Sequence, residues 1–352
     1  MKVATLRDGT RDGSLVVVSR DLRTAMKAGK VAPTLQWALD NWEKCAPTLE
    51  RLYAELSADR EKFDFAEAGF YFRDSGEPVI DHLLRSIGKF EFNIDDLMAP
   101  LPRAYQWVDA SAYLSHVERV RKARGEVMPP AATEEPLMYQ GGSDSMLGAH
   151  EPIKVGDEAW EIDLEAEVGV IVDDVPMTTD RENAIDHVRL LVLVNDVSLR
   201  NLTSRELEKG FGFFNSKSWT AFSPVAVTPD ELGSAWAGGA VHLPIFIHVN
   251  DTELGRPNAG VDMNFDFATL IAHAAKTRPL GAGSIIGSGT VSNRNLDVGV
   301  GCIAEKRALE MTISGKPKTQ FLRFGDRIKI EMFDDKGRSI FGAIDQKVTQ
   351  VK

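Results

Sequence analysis

The segment Glu161-Ile162-Asp163-Leu164-Glu165-Ala166-Glu167-Val168 alternates strictly between acidic and apolar residues. The chain then continues as Gly169-Val170-Ile171-Val172, without a polar side chain. On a β-strand, successive side chains point to opposite faces. Ile162, Leu164, Ala166 and Val168 therefore share one face, and Glu161, Asp163, Glu165 and Glu167 share the other. Like charges about 7 Å apart along one face repel unless water or a cation compensates them. A strand that is apolar on both faces belongs in a buried sheet. Glu165 and Glu167 thus stand at the edge of the core, where an unpaired carboxylate is costly. Two readings follow: a solvated strand face, or a buried site for a hard divalent cation. For the second, Mg²⁺ or Ca²⁺ suits all-oxygen ligation. Asn195-Asp196 follows the apolar run 190–194. There an acid could serve as a ligand or as a turn or cap residue.

The charge distribution singles out the same region. The 352 residues carry 41 Lys and Arg against 52 Asp and Glu, a net charge of −11. Residues 151–200 alone hold thirteen acids and four bases, a net of −9, whereas 301–352 is +4. An acidic chain makes nucleic acid a poor partner, since phosphate binding needs a basic surface. With 43% hydrophobic and 26% charged residues, the composition is that of a globular protein and argues against wholesale disorder. Cys45 and Cys302 lie 257 positions apart with no CxxC or Cys/His spacing, which predicts two inert thiols in a reducing compartment. The opening Met1-Lys2-Val3-Ala4-Thr5-Leu6-Arg7-Asp8 lacks the apolar core of a signal peptide. No apolar run approaches the eighteen residues of a membrane span. A soluble, cytoplasmic chain is expected.

Two regions are expected, an N-terminal domain over 1–95 and a larger domain over 96–352, joined just before Met98-Ala99-Pro100-Leu101-Pro102. In the first, Leu15–Val18 reads as a strand. Thr34 to Leu56 has helical spacing interrupted at Pro47, which predicts two short helices. Asp64 to Phe72 is rich in aromatics (Phe65, Phe70, Tyr71, Phe72), suited to a core or an interface. In the second region, strands are expected at 162–172, 190–194, 225–227, 243–249, 285–287, 308–313 and 327–332, many separated by glycine turns. The fold class is α+β and β-rich, not a doubly wound sheet.

Glu165-Ala166-Glu167 before a buried strand, then Asn195-Asp196-Val197-Ser198-Leu199-Arg200, Asn215-Ser216-Lys217-Ser218 and Gly287-Ser288-Gly289-Thr290-Val291-Ser292 occur in that order. Over about 240 residues, from Leu97 to Gly342, this pattern resembles the fumarylacetoacetate hydrolase family, bacterial fumarylacetoacetase-like proteins included. The resemblance implies a mixed β-sandwich or β-roll catalytic domain behind a smaller N-terminal α/β domain, and a homodimer. It implies Glu165, Glu167 and Asp196 as metal ligands with Asp109 as the fourth, and Mg²⁺, Ca²⁺ or Mn²⁺ as the ion. It also implies a catalytic His116, seven residues after Asp109, partnered by Glu305, fifteen beyond Thr290. Lys217 takes the place of the oxyanion lysine, and Arg200 joins it in that role. Tyr139 and Arg200 match substrate-contacting positions. Gly289-Thr290 would bring backbone amides close to a substrate carboxylate. There are departures. Thr203 stands where the family has an oxyanion glutamine, and the arginine after the histidine has no direct counterpart, although Arg121 and Arg124 are near. The first ninety residues do not resemble the small barrel of the eukaryotic hydrolase.

The chemistry implied is hydrolysis of a carbon–carbon bond in a β-diketone or diketo acid, such as fumarylacetoacetate or an acylpyruvate in aromatic-compound catabolism. His116 would act as general base and Lys217 and Arg200 would stabilise the oxyanion. The same metal site also suits decarboxylation, hydration or tautomerisation of a 2-keto acid. A non-catalytic scaffold held by its metal is the third reading.

Overall fold

Apolar sequence on both faces sets the centre of the fold. Strands are numbered along the chain; β9 (Ala166–Val172) is buried throughout and β10 (Val188–Leu199) nearly so. They pair antiparallel, with Leu193 opposite Val168 and Val194 opposite Glu167. Their side chains divide by the two-residue period of a strand. Val168, Val170, Leu191 and Leu193 face one apolar core, while Ile171, Leu190, Val192 and Val194 face a second.

The computed structural model describes residues 1–57, 88–123, 125–128 and 130–351. The sheet around β9 and β10 runs in the order β4 (Lys89–Glu91), β3 (Thr24–Lys27), β2 (Ser14–Val18), β1 (Lys2–Leu6), β12 (Ala226–Val227), β10, β9, β17 (Ile285–Gly287), β5 (Trp107–Ala110) and β6 (Met138–Gln140). Two further strands, β11 (Lys217–Phe222) and β8 (Ile162–Asp163), also pair with β10. A second sheet has the order β16 (Thr252–Gly255), β15 (Ile245–Val249), β18 (Arg327–Met332), β19 (Ile344–Gln350) and β7 (Ile153–Val155). A small hairpin joins β13 (Trp236–Ala237) to β14 (Ala240–Val241). The first core lies between the sheets, where Ile247 and Ile330 join Val168 and Leu193. The second is covered by α1 (Leu35–Asp40) and α2 (Trp42–Ser57), through Leu35, Leu39, Leu49 and Leu52. Both sheets are open, and the architecture is the mixed, strand-rich one expected. Among the described residues no helix is long and apolar enough to cross a membrane.

The N-terminal strands belong to the same sheet as the central pair: Lys2 and Val3 of β1 pair with Val227 and Ala226 of β12. Lys2 is 2% exposed, and its Nζ donates to the carbonyls of Ile340 (2.6 Å) and Ser339 (3.2 Å). Burial pulls its pKa down to about 8.

Several expected elements are placed differently. The break between the two N-terminal helices falls at Asn41, not at Pro47, which sits inside α2. Pro47 removes a single helix hydrogen bond near the helix start, and burial of Leu49, Leu52, Tyr53 and Leu56 holds the rest. Residues 308–313 are not a strand but part of a helix, Ile303–Ser314, capped by Cys302 at one end and by Gly315 at φ 74 at the other. Ile313 is 78% exposed, so the apparent apolar alternation there has no buried face behind it. The strand expected over 162–172 is two pieces, β8 and β9, with Leu164 and Glu165 between them. The apolar run 190–194 extends to Leu199 because β11 and β8 supply partners for its far end. The aromatic segment Asp64 to Phe72 lies outside the described residues.

Candidate metal centre and active site

Three strands of the main sheet, and the residue before one of them, place four carboxylates in one spot. Asp109 lies on β5, Glu165 just before β9, Glu167 on β9 and Asp196 on β10. One carboxylate oxygen from each falls within 4.8 Å of the others, and all four residues are buried. The register brings this about: Glu167 pairs with Val194 and Ala166 with Asn195, while the Asp196 amide donates to the Glu165 carbonyl (3.1 Å). Asp109 pairs with Gly287 across the parallel β5–β17 ladder. A Cβ at Gly287 would overlap the Asp109 carboxylate and the Trp107 ring, so glycine there leaves room for the acid. The expected solvated face is thereby excluded. Of the alternating acids, Glu161 remains half-exposed, while Asp163, Glu165 and Glu167 are buried.

The residues fit a divalent cation. Among the described residues no hydrogen-bond donor reaches either carboxylate oxygen of Glu167. Burial and then the neighbouring charges of Asp109, Asp196 and Glu165 push its pKa well up. Burial and the Asp196 charge raise Asp109 to about 8. Two carboxylates driven toward protonation by burial and by one another form a setting that a bound cation would relieve. The donor set is oxygen only, which suits Mg²⁺, Ca²⁺ or Mn²⁺. Glu165 behaves differently: burial raises it, but Lys217 and Arg200 outweigh that and hold it low.

Beside this cluster, His116 on α3 (Leu114–Ala123) meets Glu305 on α4 (Ile303–Ser314, the helix capped by Cys302). His116 Nδ1 lies 2.9 Å from Glu305 Oε2. A carboxylate at Nδ1 fixes the ring proton there and leaves Nε2 as the basic nitrogen. Glu305 is fully buried and accepts from Ser292 Oγ (2.8 Å) and from Arg119 Nη1. Burial pushes its pKa up, but these donors and His116 prevail and hold it below the ordinary carboxylate range. Arg119 also donates to the Asn293 carbonyl (2.7 Å). Arg119 was not singled out by the sequence, which offered Arg121 and Arg124 as the nearest arginines after His116. Arg121 pairs instead with Glu126 (3.3 Å), and Arg124 lies outside the described residues. The signal was the i, i+3 spacing from His116, which puts both side chains on one helix face.

The remaining residues separate by contact. Lys217 on β11 is held by Glu165 and by Asp196 (2.7 Å). Its Nζ also lies 5.3 Å above the Tyr139 ring and 5.7 Å from that of Phe213. Tyr139 donates its hydroxyl to Asp196 (2.5 Å). Arg200 spends both arms on acids, Nε on Asp163 (2.9 Å) and Nη2 on Glu165 (2.8 Å). Asp163 was unassigned by sequence, yet it also accepts the amides of Ile303 and Ala304 (both 2.9 Å) at the start of α4. It thus joins the metal strand to the helix bearing Glu305. The Gly289 amide is committed to Asp109 (3.0 Å), and a Cβ there would overlap the Ala110 carbonyl. Thr203 and Thr290 are buried and line the same cavity of about 350 Å³ as His116, Tyr139, Glu165 and Lys217. Glu206 was also missed. It gathers the amides of Phe214 (2.8 Å), Asn215 (2.7 Å) and Ser216 (3.1 Å) and so anchors the loop before Lys217.

Comparison with known proteins follows the same outline. Residues 106–349 match the family described as Fumarylacetoacetate (FAA) hydrolase C-terminal, and residues 1–71 match Fumarylacetoacetase N-terminal domain 2. Oxaloacetate tautomerase YisK of Bacillus subtilis (strain 168) is 27% identical over 249 residues, covering 69% of this chain and 72% of that protein. The 2,4-didehydro-3-deoxy-L-rhamnonate hydrolase of Sphingomonas sp. (strain SKA58) is 28% identical over 159 residues, 44% of this chain and 53% of that one. The crystal structure of maleylpyruvate hydrolase from Sphingobium sp. SYK-6, in complex with manganese(II) and pyruvate, superposes with a TM-score of 0.62. The identity is 16% and both chains are covered fully; at that identity the likeness is one of fold.

Proposed function

The chain belongs to the fumarylacetoacetate hydrolase family, and on that premise we propose that it is a metal-dependent enzyme cleaving a carbon–carbon bond in a β-diketone or 2,4-diketo acid such as an acylpyruvate. The observation that carries the reading is the part-buried His116–Glu305 pair (2.9 Å), whose histidine lines the same cavity as Asp109 and Glu165. An isolated metal scaffold needs the carboxylates but has no use for an oriented base.

Asp109, Glu165, Glu167 and Asp196 would hold a divalent cation, which supplies Lewis acidity and a template for the keto-acid end of the substrate. His116 Nε2 takes a proton from water as the water oxygen attacks the distal carbonyl carbon. Glu305, anionic and fixed by Arg119 and Ser292, stabilises the resulting imidazolium. Lys217 and Arg200 stabilise the oxyanion, Tyr139, Thr203 and Thr290 position the substrate, and the Gly289 amide holds Asp109. The carbon–carbon bond then breaks, its electron pair passing to the methylene carbon, and the proton on His116 returns to that carbon. The products are a carboxylic acid and a keto acid.

A second reading is tautomerisation, hydration or decarboxylation of a 2-keto acid at the same site. It draws support from the likeness to an oxaloacetate tautomerase, and it requires no attacking water. The two are separated by incubating the protein and Mg²⁺ or Mn²⁺ with acylpyruvates and oxaloacetate, following enol absorbance and products. Two acids from an acylpyruvate are expected. Enol–keto exchange or carbon dioxide from oxaloacetate, with acylpyruvates left intact, would overturn the hydrolytic reading in favour of the second.

A further inference from the structure

Lys217 reaches Glu165 and Asp196 from an irregular stretch of backbone. In the β10–β11 ladder it pairs with Ser198, while Trp219 pairs with Val197, so Ser218 is an extra residue on β11. A bulge of this kind bends the strand and re-aims the side chains beside it. Ahead of the bulge, the Leu199 amide donates to the Ser216 carbonyl (2.8 Å). In the preceding loop Phe213 packs edge-on against Tyr139 (5.2 Å), but Phe211 and Phe214 are 98% and 82% exposed. Glu206 supplies the polar anchor. Its Oε2 accepts from the Phe214 amide (2.8 Å), the Ser216 amide (3.1 Å) and the Ser216 hydroxyl (2.6 Å). Its Oε1 accepts from the Asn215 amide (2.7 Å). Burial pushes the Glu206 pKa up, but Ser216 and the amides outweigh it and hold it below the ordinary carboxylate range. Both oxygens therefore stay acceptors. Arg200, Thr203 and Glu206 recur at three-residue intervals on the helix Arg200–Leu207, which turns them to one side. One short helix thus carries a partner of Glu165, a cavity residue and the anchor of the loop before Lys217.

We propose that Glu206 is a positioning residue: by gathering the amides of 214–216 it sets the approach of Lys217, and so the seat of its ammonium on Glu165 and Asp196. Its effect on turnover rests on the hydrolytic reading above, in which Lys217 stabilises the oxyanion; its hold on Lys217 does not. A carboxylate is required there. A carboxamide has one acceptor oxygen and would turn N–H groups toward the loop amides.

The test uses the Mg²⁺-loaded full chain and acylpyruvate substrates, with Glu206→Gln, Lys217→Met and the double variant. Lys217→Met, which deletes an oxyanion donor, should lower kcat by about 10²- to 10³-fold. Glu206→Gln should lower kcat by about tenfold or more with KM little changed, the mark of an interaction made in the transition state. The double variant should be no slower than Lys217→Met, because a group acting through Lys217 then has nothing to act on. Acetylation of Lys217 by acetic anhydride, followed by mass spectrometry, gives a readout free of turnover. It should quicken about tenfold or more in Glu206→Gln, as expected when a hydrogen bond to a charged group is lost. Glu206→Asp, which keeps both oxygens, should restore part of the protection. Ser216→Ala removes the hydroxyl alone, should show a smaller rise in the same direction, and carries the test if Glu206→Gln does not fold. A double variant slower than Lys217→Met by the full factor seen for Glu206→Gln would overturn the proposal. So would unchanged acetylation in Glu206→Gln and Ser216→Ala. Absence of turnover of every acylpyruvate by the unaltered protein would overturn the hydrolytic reading instead, and acetylation of Lys217 then decides the proposal alone.

Discussion

His116 Nδ1 lies 2.9 Å from Glu305 Oε2, although 189 positions separate the two residues. Arg119, one helical turn beyond His116, holds the other oxygen of the same carboxylate. The histidine and the residue that fixes its partner thus share one helix. Any tilt of α3 would carry base and clamp together, keeping their geometry relative to each other while shifting both against Glu305.

For this pair, Glu305→Gln and His116→Ala should each lower kcat by about 10²- to 10⁴-fold while leaving the stabilisation by Mg²⁺ in place. Thermal denaturation with and without metal, run beside the kinetics, checks both halves. Loss of the metal-induced shift in either variant would mean that the pair is part of the metal site.

Glu167→Gln should act oppositely on the metal-free and metal-loaded protein. Burial and the neighbouring acids disfavour the charged form of Glu167, a cost that Gln does not carry, so the metal-free Tm rises. The gain on adding metal, about 2.7 kcal/mol at a hundredfold excess over Kd, shrinks with the lost ligand. A metal-free Tm that falls in the variant would contradict the view of Glu167 as an uncompensated acid.

Gly287→Ala should destabilise the protein by about 1–3 kcal/mol and weaken metal binding as well, because its Cβ would meet Asp109 and Trp107. Chemical denaturation and a metal titration give the two numbers. A stable variant with unchanged metal affinity would show that Asp109 has room to move.

Lys2 offers a pH test far from the metal centre. Its folded pKa of about 8 lies below the ordinary 10.5, so between these values the unfolded chain binds more protons than the folded one. Stability from this group therefore rises with pH across that window. The stability of the unaltered protein minus that of Lys2→Met should rise as pH climbs from 8 to 10.5, measured by urea denaturation. A gap independent of pH would mean that Lys2 keeps its proton throughout.

The acidic cluster was legible in sequence because its cause is local. Strand alternation places Glu165 and Glu167 on one face, and the apolar run after them announces burial. The strands at 285–287 and 327–332 were legible for a similar reason, being short, β-branched and bounded by turns. Arg119, Asp163 and Glu206 were not, since each acts on a partner brought near only by the fold: Glu305, the start of α4, and the amides of 214–216. Residues 308–313 were misread because apolar residues two apart also occur on a helix whose outer side is exposed. Only the capping pair Cys302 and Gly315 distinguishes the two.

The ladder between β1 and β12 has a consequence for dissection of the chain. If the first 95 residues were removed, the amides and carbonyls of Ala226 and Val227 that meet β1 would become an open border on a sheet whose interior is apolar. Such borders recruit strands from other molecules. The shortened protein should therefore aggregate even though all four acids, the base and its clamp lie within what remains. For this chain, the stretch before residue 96 covers a sheet border that the stretch carrying the four acids would otherwise expose.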